Sequence, residues 1–218
     1  MSTDTLMTFP ALAGTRHGLI LRHPEMAVGV DRGEALNLLL PWHQDQVLGL
    51  GYELSALRTA EQVHGDGIAI ATASGPSFAP EVDGLVTNDP DVLLGIYIAD
   101  CCAVYLHDPK TGALGLVHSG RKGSELGIAR QAVEKMHRAF GASPGDIIVQ
   151  LSPCIRPPSY EVDFAAGIRV QCLESGIRPE HLHDCGICTS TDLQRFYSYR
   201  VEMGKTGRML ALLGRVHG

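Results

Sequence analysis

Basic residues are scarce in this sequence, which has 18 Lys and Arg against 24 Asp and Glu and a net charge of −6. Such a balance gives no electrostatic support for binding to nucleic acid or to an anionic membrane, and we expect neither partner. Charged residues make up 19% of the chain and hydrophobic residues 44%, as in a globular protein rather than a disordered one. A small anionic substrate would therefore need a local basic pocket.

Long apolar segments are absent as well. No run approaches the roughly 18 residues that a membrane span needs, and the first residues, MSTDTLMTFPALAG, lack the basic start and apolar centre of a signal peptide. The six cysteines are therefore expected to be free thiols in a reducing cytosol, and the sequence predicts a cytoplasmic protein. The chain also contains no Walker loop and no GxGxxG dinucleotide fingerprint.

Strand-like and helix-like segments are mixed along the 218 residues without strict alternation, which predicts an α+β fold with mixed sheets. Apolar runs rich in β-branched or aromatic residues predict strands at 67–73, 82–89, 92–100, 103–108 and 113–120, and within 143–155. Helical spacing of the apolar residues predicts helices near 32–48, 126–141 and 160–177.

Local turn and cap signals refine this outline. Pro41 is expected to split the first helix, and Gly123 with Ser124 is expected to cap the second. The sequence PKTG predicts a hairpin turn between the two apolar strands that flank it. Residues 192–216 are expected to form two strands around a Gly-Lys-Thr-Gly turn.

His64, Cys101 and His118 stand out among the ten histidines and six cysteines, because each is expected to close a strand. Glycine follows His64 and His118 within two residues and permits close approach of backbone or ligand. Two imidazoles and a thiolate suit Zn²⁺ and leave a fourth position open. The spacing alone leaves three interpretations: a metal site, a Cys–His nucleophile, or unrelated buried residues.

A CxxC pair, Cys185 and Cys188, follows His181 and His183. Such a cluster occurs in zinc knuckles and redox sites, but a second CxxC and a thioredoxin-like helix are missing. We therefore interpret these two cysteines as packing thiols outside any metal site.

Ten short motifs in order resemble one family over about residues 60–208. They include QVHG, DGLVT, IADC, GLVHSG, SPCI, FYSYR and TGR. The chain resembles the laccase-domain proteins, also called the YfiH or DUF152 family. These were long labelled polyphenol oxidases and are now described as purine nucleoside phosphorylases with adenosine deaminase activity. The resemblance implies one domain over 1–218, with mixed β-sheets sandwiched between helical layers.

The resemblance also implies the site. His64, Cys101 and His118 match the residues that bind one zinc ion in the family, and they would form the catalytic centre, with Cu²⁺ as the less suitable metal. The implied substrates are phosphate and a purine nucleoside of the adenosine, inosine or methylthioadenosine type. Arginine side chains suit phosphate, so three arginines are candidates for binding it. One asparagine also matches the family pattern. The expected substrate-binding residues are Arg16, Asn37, Arg200 and Arg208.

Departures from the family pattern keep rival functions open. The family's HAGWRG corresponds to HSGRKG here, so that Arg121 replaces a tryptophan and Lys122 an arginine. One rival is a non-catalytic metal-binding protein that has lost the family's pocket. The other is a copper-dependent phenol oxidase, although three ligands cannot form a multicopper cluster. Asp83 and Glu161 are candidate acid–base or ligand-orienting groups. The oligomeric state is not predicted.

Overall fold

Two six-stranded sheets form the framework of the protein, in a computed structural model that describes residues 5–216. Sheet A has the strand order β1-β2-β12-β7-β3-β5, and sheet B has the order β11-β10-β8-β9-β6-β4. The strands are β1 Leu6–Met7, β2 Thr15–Ile20, β3 Leu57–Ala60, β4 Ile68–Ile70, β5 Phe78–Ala79, β6 Gly84–Thr87, β7 Leu93–Ile98, β8 Cys102–His107, β9 Leu114–Ser119, β10 Ile148–Leu151, β11 Leu182–Asp184 and β12 Met209–Arg215. The α-helices are α1 Arg32–Gly49, α2 Arg121–Leu126, α3 Ile128–Phe140 and α4 Phe164–Glu174.

Both sheets mix parallel and antiparallel neighbours. In sheet A, β12 pairs antiparallel with β2 and β7, whereas β3 pairs parallel with β7 and β5. In sheet B, β8 lies antiparallel between β9 and β10, and the outer strands β4 and β11 are parallel to their neighbours. The predicted hairpin is confirmed, because β8 and β9 pair directly across the PKTG turn.

The apolar core lies in three layers. Alternate side chains of the two sheets pack against each other, as Ile96 of β7 and Tyr105 of β8 do. The other face of sheet B packs on α3 and α4, with Met136 and Ile168 among the buried contacts. On the far side of sheet A, Val47 of α1 joins a smaller cluster. The predicted α+β fold, with mixed sheets between helical layers, is therefore confirmed.

The prediction that Pro41 splits the first helix is wrong, because α1 runs unbroken from Arg32 to Gly49. Its buried residues recur every fourth position on both sides of the proline, and this continuous seam holds the helix against the protein. Pro41 itself is exposed, so the backbone group that it frees can reach water. Among residues 5–216, no helix combines the length and the apolar character of a membrane span.

Two other local predictions are wrong. Gly123 and Ser124 lie inside α2 rather than at a cap, and left-handed Gly127 separates α2 from α3. Residues 192–208 contain no strand, so that β12 alone follows the Gly-Lys-Thr-Gly turn. Side chains organise this segment instead: Glu202 accepts hydrogen bonds from the Ser198 amide and the Thr206 hydroxyl, which replace a sheet ladder.

Candidate functional site

His64, Cys101 and His118 meet at one end of the sandwich. Cys101 lies where the chain passes from β7 of sheet A to β8 of sheet B, and His64 lies on another connection between the sheets, from β3 to β4. His118 is on β9, beside β8. One ligand atom from each of the three residues lies within 4.8 Å of the others. The interpretation as unrelated residues is therefore wrong.

His64 and Cys101 do not close strands, contrary to the prediction, because β3 already ends at Ala60 and β7 at Ile98. For His64, the connection after β3 decides its position. The loop that carries it holds two residues with positive φ, Gln62 at 65° and His64 at 61°. Such backbone conformations are uncommon for these residues and persist where surrounding contacts fix them. The Gln62 side-chain amide provides one fixed point, since it accepts a hydrogen bond from the Tyr97 amide at 2.9 Å and donates to the Tyr97 carbonyl.

Asp83 provides the second fixed point and is fully buried beneath the site. Its carboxylate accepts hydrogen bonds from three consecutive backbone amides, those of Val63 at 3.1 Å, His64 at 2.9 Å and Gly65 at 2.7 Å. It also accepts from Nδ1 of His118 at 2.9 Å. One carboxylate thus positions two of the three candidate ligands, and Nε2 of His118 is left for a ligand or a proton.

Ionisation in the metal-free site favours a thiolate–imidazolium pair. Burial opposes the charge on Cys101, but the His118 imidazolium and hydrogen bonds from both histidines outweigh it and lower the Cys101 pKa to about 6. Burial likewise opposes the charge on His118, but the Cys101 thiolate and Asp83 raise the His118 pKa to about 9. Between these values both groups are charged, so Cys101 is ready to bind a cation without first losing a proton.

The reactivity of Cys101 gives a direct check on this pairing. In metal-free protein at pH 7, iodoacetamide should modify Cys101 well before Cys185, whose pKa burial raises to about 11 although both thiols are half-buried. Lowering the pH from 7 to 5 crosses the Cys101 pKa and protonates the thiolate, so its labelling should slow by about tenfold. Peptide mass spectrometry measures both rates. Equal labelling of the two cysteines at pH 7 would contradict the assignment.

The donor set fits a transition-metal ion. Two imidazole nitrogens and one thiolate sulfur are ligands typical of zinc, and three protein ligands with an open fourth position characterise catalytic rather than structural zinc sites. The buried hydrogen bond between Asp83 and His118 supplies the carboxylate–histidine contact that orients such ligands. Among the residues that the structure describes, this is the one His, Cys, Asp or Glu cluster that could hold a metal ion. Cys185 and Cys188 are free and lie outside it.

A cavity of about 600 Å³ opens directly onto the three residues. This volume is within the usual range for small-molecule sites. Aromatic side chains supply much of the apolar wall, and those in contact with the cavity are Tyr97, Tyr160, Phe164 and Tyr199. Arginines from four different segments face the same space: Arg32, Arg121, Arg200 and Arg208. The cavity therefore combines flat rings with cationic groups beside the His–Cys–His cluster.

Arg32 and Arg208 differ from the other two arginines in their partners. Their side-chain hydrogen bonds go to backbone carbonyls, of Glu61 for Arg32 and of Thr206 and Gly207 for Arg208. Within residues 5–216, neither guanidinium has a carboxylate within 4.0 Å. Burial, followed by the charge of Arg32, lowers the Arg208 pKa, so an anion placed between them would be favoured electrostatically.

The expected substrate-binding residues divide into two pairs. Arg200 and Arg208 line the cavity, as expected of residues that contact a substrate. Arg16 and Asn37 lie outside its lining: Arg16 is on β2 beside Gly51, and Asn37 is on the exposed side of α1. The structure therefore brings only two of the four candidates to the His–Cys–His cluster.

Sequence reasoning missed several residues of the site. Arg32 is the first residue of α1, a position at which an arginine does not by itself indicate a binding site. Gln62 lies in the loop after β3, and its hydrogen bonds to the Tyr97 backbone depend on the fold. Asp100 is buried with φ of 80° and accepts hydrogen bonds from the hydroxyls of Thr189 and Ser198. The signal that could have drawn attention to Asp100 was its position directly before Cys101 in the IADC motif.

A two-sheet sandwich with a His–Cys–His cluster that a buried carboxylate supports, at the end of a cavity, defines a candidate metal-binding protein of the YfiH type. Comparison with known sequences places it more narrowly. The chain belongs to the family described as "Multi-copper polyphenol oxidoreductase laccase", whose sequence model matches residues 42–165 and 161–216. The family resemblance inferred from the ten motifs is thereby confirmed.

Individual relatives are similar over nearly the whole chain. "Purine nucleoside phosphorylase YlmD" of Geobacillus stearothermophilus is 31% identical over 94% of this chain and 92% of its own length. Its crystal structure superimposes with a TM-score of 0.89 at 28% identity, covering 100% of this chain and 98% of that chain. "Purine nucleoside phosphorylase" of Deinococcus radiodurans is 32% identical over 95% of both. The structure of YfiH from Bacillus licheniformis gives a TM-score of 0.81 at 25% identity, over 92% of both chains.

The chain is shorter than the relatives that it matches. Its alignment with the Geobacillus relative spans 259 positions, more than the 218 residues of this chain, so the relative contains segments that are missing here. The two matches to the family model meet at residues 161–165, which follow the cavity residue Tyr160 and include the cavity residue Phe164. The family model therefore matches this chain in two pieces, which overlap at the edge of the cavity.

Proposed function

We propose that this protein is a zinc-dependent purine nucleoside phosphorylase. The observation that carries the proposal is the convergence of the His–Cys–His cluster and two arginines without carboxylate partners in one aromatic-lined cavity. The names of the relatives from Geobacillus and Deinococcus support the same reaction class. The proposed substrates are inorganic phosphate and a nucleoside of the adenosine, inosine or methylthioadenosine type.

The cavity residues match the needs of phosphorolysis. As the purine departs, positive charge develops on the ribosyl ring, and a phosphate oxygen must be held close to C1′. Arg32 and Arg208 can hold that phosphate, because guanidinium groups bind its oxygens in pairs and keep their charge. Tyr97, Tyr160, Phe164 and Tyr199 present rings of a kind that stack on a purine. The aromatic walls would orient the nucleoside while the arginines position its attacker.

His64, Cys101 and His118 are the proposed zinc ligands and catalytic centre. When bound, the zinc ion supplies a Lewis acid at the reacting end of the cavity. Asp83 keeps the proton of His118 on Nδ1, so that Nε2 faces the ligand position, and it fixes the His64 loop through the three amide hydrogen bonds. The chain's own contribution is therefore orientation of the donors and exclusion of alternative rotamers.

Deamination of adenosine is a second reaction that we assign to the same site. It needs an activated water molecule rather than phosphate, and a three-ligand zinc site with an open position suits that chemistry. The two reactions are separable in one assay, since phosphorolysis releases adenine only with phosphate and deamination yields inosine without it. Neither rival interpretation gains support: one cluster of three donors cannot form a multicopper centre, and the cavity is present.

Phosphate-dependent purine release from adenosine or inosine, followed by liquid chromatography on zinc-loaded protein, tests the proposal. Purine release that is independent of phosphate or independent of the metal would overturn the proposal. The cavity arginine gives a sharper form of the test. Arg208→Gln removes the half-buried guanidinium and should raise the KM for phosphate at least tenfold, because a charge-assisted bidentate contact is lost.

Arg195→Gln is the matched control for this variant. Arg195 is exposed, packs on the Phe196 ring and does not line the cavity. It should leave the KM for phosphate unchanged, although it removes the same charge from the protein. An equal increase in both variants would mean that the effect comes from overall charge rather than from a phosphate site.

A further inference from the structure

Two more arginines extend from the immediate surroundings of Cys101. Arg121 follows Gly120, at which a Cβ atom would lie only 2.5 Å from the Cys101 sulfur, so the backbone there packs against the cluster. The backbone amide of Arg200 donates to the Asp100 carboxylate at 2.7 Å, next to Cys101 in sequence. Both residues also line the cavity. Their backbones are therefore held at the His–Cys–His cluster while their side chains reach outward.

Both side chains pair with the Glu161 carboxylate, and Arg121 also donates from Nε to the exposed Glu125 carboxylate at 3.0 Å. Nη2 of Arg200 lies 3.2 Å from one Glu161 oxygen, and Nη1 of Arg121 lies 3.7 Å from the other. All three side chains are at least half exposed, at 50%, 58% and 54% for Arg121, Arg200 and Glu161. Ion pairs this exposed contribute little stability. A phosphate group that enters with nearly two negative charges can therefore compete for both guanidinium groups.

A nucleoside and inorganic phosphate leave this outer pair of arginines unused. The nucleoside carries no charge, and Arg32 and Arg208 already account for the attacking phosphate. The backbones of the outer pair lie beside the Cys101 segment, and their side chains meet at Glu161, where the two matches to the family model overlap. The Arg200 guanidinium lies 5.5 Å from the ring centre of Tyr160, which also lines the cavity. Substrates that engage all four cavity arginines would need a second anionic group in addition to the attacking phosphate.

We propose that this protein also cleaves purine nucleoside 5′-monophosphates, and that Arg121 and Arg200 bind the 5′-phosphate. The inference rests on the proposed phosphorylase function. The bond between C1′ and N9 breaks with its electron pair going to the purine, and an oxygen of hydrogen phosphate forms the new bond to C1′. The proton of hydrogen phosphate ends on the purine. The products from adenosine 5′-monophosphate are adenine and ribose 1,5-bisphosphate.

The experiment compares adenosine with adenosine 5′-monophosphate on the zinc-loaded full chain, with inorganic phosphate as co-substrate. We expect kcat/KM for the nucleotide to equal or exceed that for the nucleoside. In Arg121→Gln, the ratio of the two kcat/KM values should fall about tenfold, because a charge-assisted contact to the 5′-phosphate is lost. Calorimetry without inorganic phosphate should show the same loss of preference in binding of the nucleotide.

Arg138→Gln is the matched control, since Arg138 also pairs with a glutamate one helical turn away but lies on α3, outside the cavity lining. It should leave the ratio unchanged. Cleavage of adenosine without cleavage or tighter binding of the nucleotide would overturn this inference and leave the phosphorylase proposal intact. Nucleotide binding that depends on Arg121, without cleavage of either compound, would support the 5′-phosphate site but would overturn the phosphorylase proposal and, with it, the cleavage of nucleotides.

Discussion

Cys101→Ala is expected to reduce bound zinc from about one ion per chain to background and to slow purine release by about a thousandfold. The thiolate is one of three protein ligands, and a site with two remaining imidazoles loses both affinity and geometry. Removal of the Lewis acid costs several kcal/mol of transition-state stabilisation, and each 1.36 kcal/mol corresponds to tenfold in rate. His118→Ala should have the same effect. Elemental analysis and chromatography of released purine measure the two quantities.

Cys185→Ala is the control for this experiment. Cys185 is also a free, half-buried thiol, but it does not line the cavity and is not part of the cluster. The control should retain metal and activity. Wild-type metal content in Cys101→Ala would refute the ligand assignment. Full metal binding by the wild type, together with equal background purine release by wild type and both cluster variants, would instead favour a non-catalytic metal-binding protein.

Asp83→Ala should be the most destabilising single change at the site. It leaves three backbone amides and the His118 imidazole without their buried acceptor. Breaking a buried, hydrogen-bonded charge pair costs about 3–5 kcal/mol. For a domain of this size, that loss lowers the Tm by about 10 °C. Circular dichroism on metal-free protein measures it without any contribution from a bound ion.

Asp83→Asn separates orientation from stability. The asparagine amide retains an acceptor oxygen but lacks the negative charge that faces the His118 imidazole. Zinc affinity should therefore fall about tenfold to a hundredfold, with a smaller decrease in Tm than in Asp83→Ala. Asp45→Asn, at an exposed position of α1, should change neither quantity. Unchanged zinc affinity in Asp83→Asn would show that the buried carboxylate does not position the ligands.

Local features of the fold could be predicted from the sequence. The hairpin of β8 and β9 depends on two apolar runs and a PKTG turn that are adjacent in the chain, and it forms as expected. The helical signals near 126–141 and 160–177 also correspond to real helices, α3 and α4. The unbroken α1 depends instead on tertiary packing, because its seam of buried residues overrides the local effect of Pro41.

Sheet membership and supporting contacts could not be predicted in the same way. β7 and β8 follow each other closely and are both apolar, yet they belong to different sheets. The pattern of either strand carries no information on that point. Asp83 resembles an ordinary strand-end carboxylate in the sequence, and only the fold brings the His64 loop and His118 to it. Arg32 reaches the cavity for the same reason, through the placement of α1.

His64 and Cys101 lie on two of the connections between the sheets, so the distances between the ligand atoms of the cluster depend on how far apart the sheets are. An ion bound there ties the sheets together at one end, so separating them releases the ion. Because such an ion binds only the folded chain, it raises stability by about 2.7 kcal/mol at a concentration one hundred times its Kd. A substitution deep between the sheets, such as one that removes the hydrogen bond from Tyr105 to the Gly18 carbonyl, can therefore change the geometry and metal affinity of the cluster without contacting it.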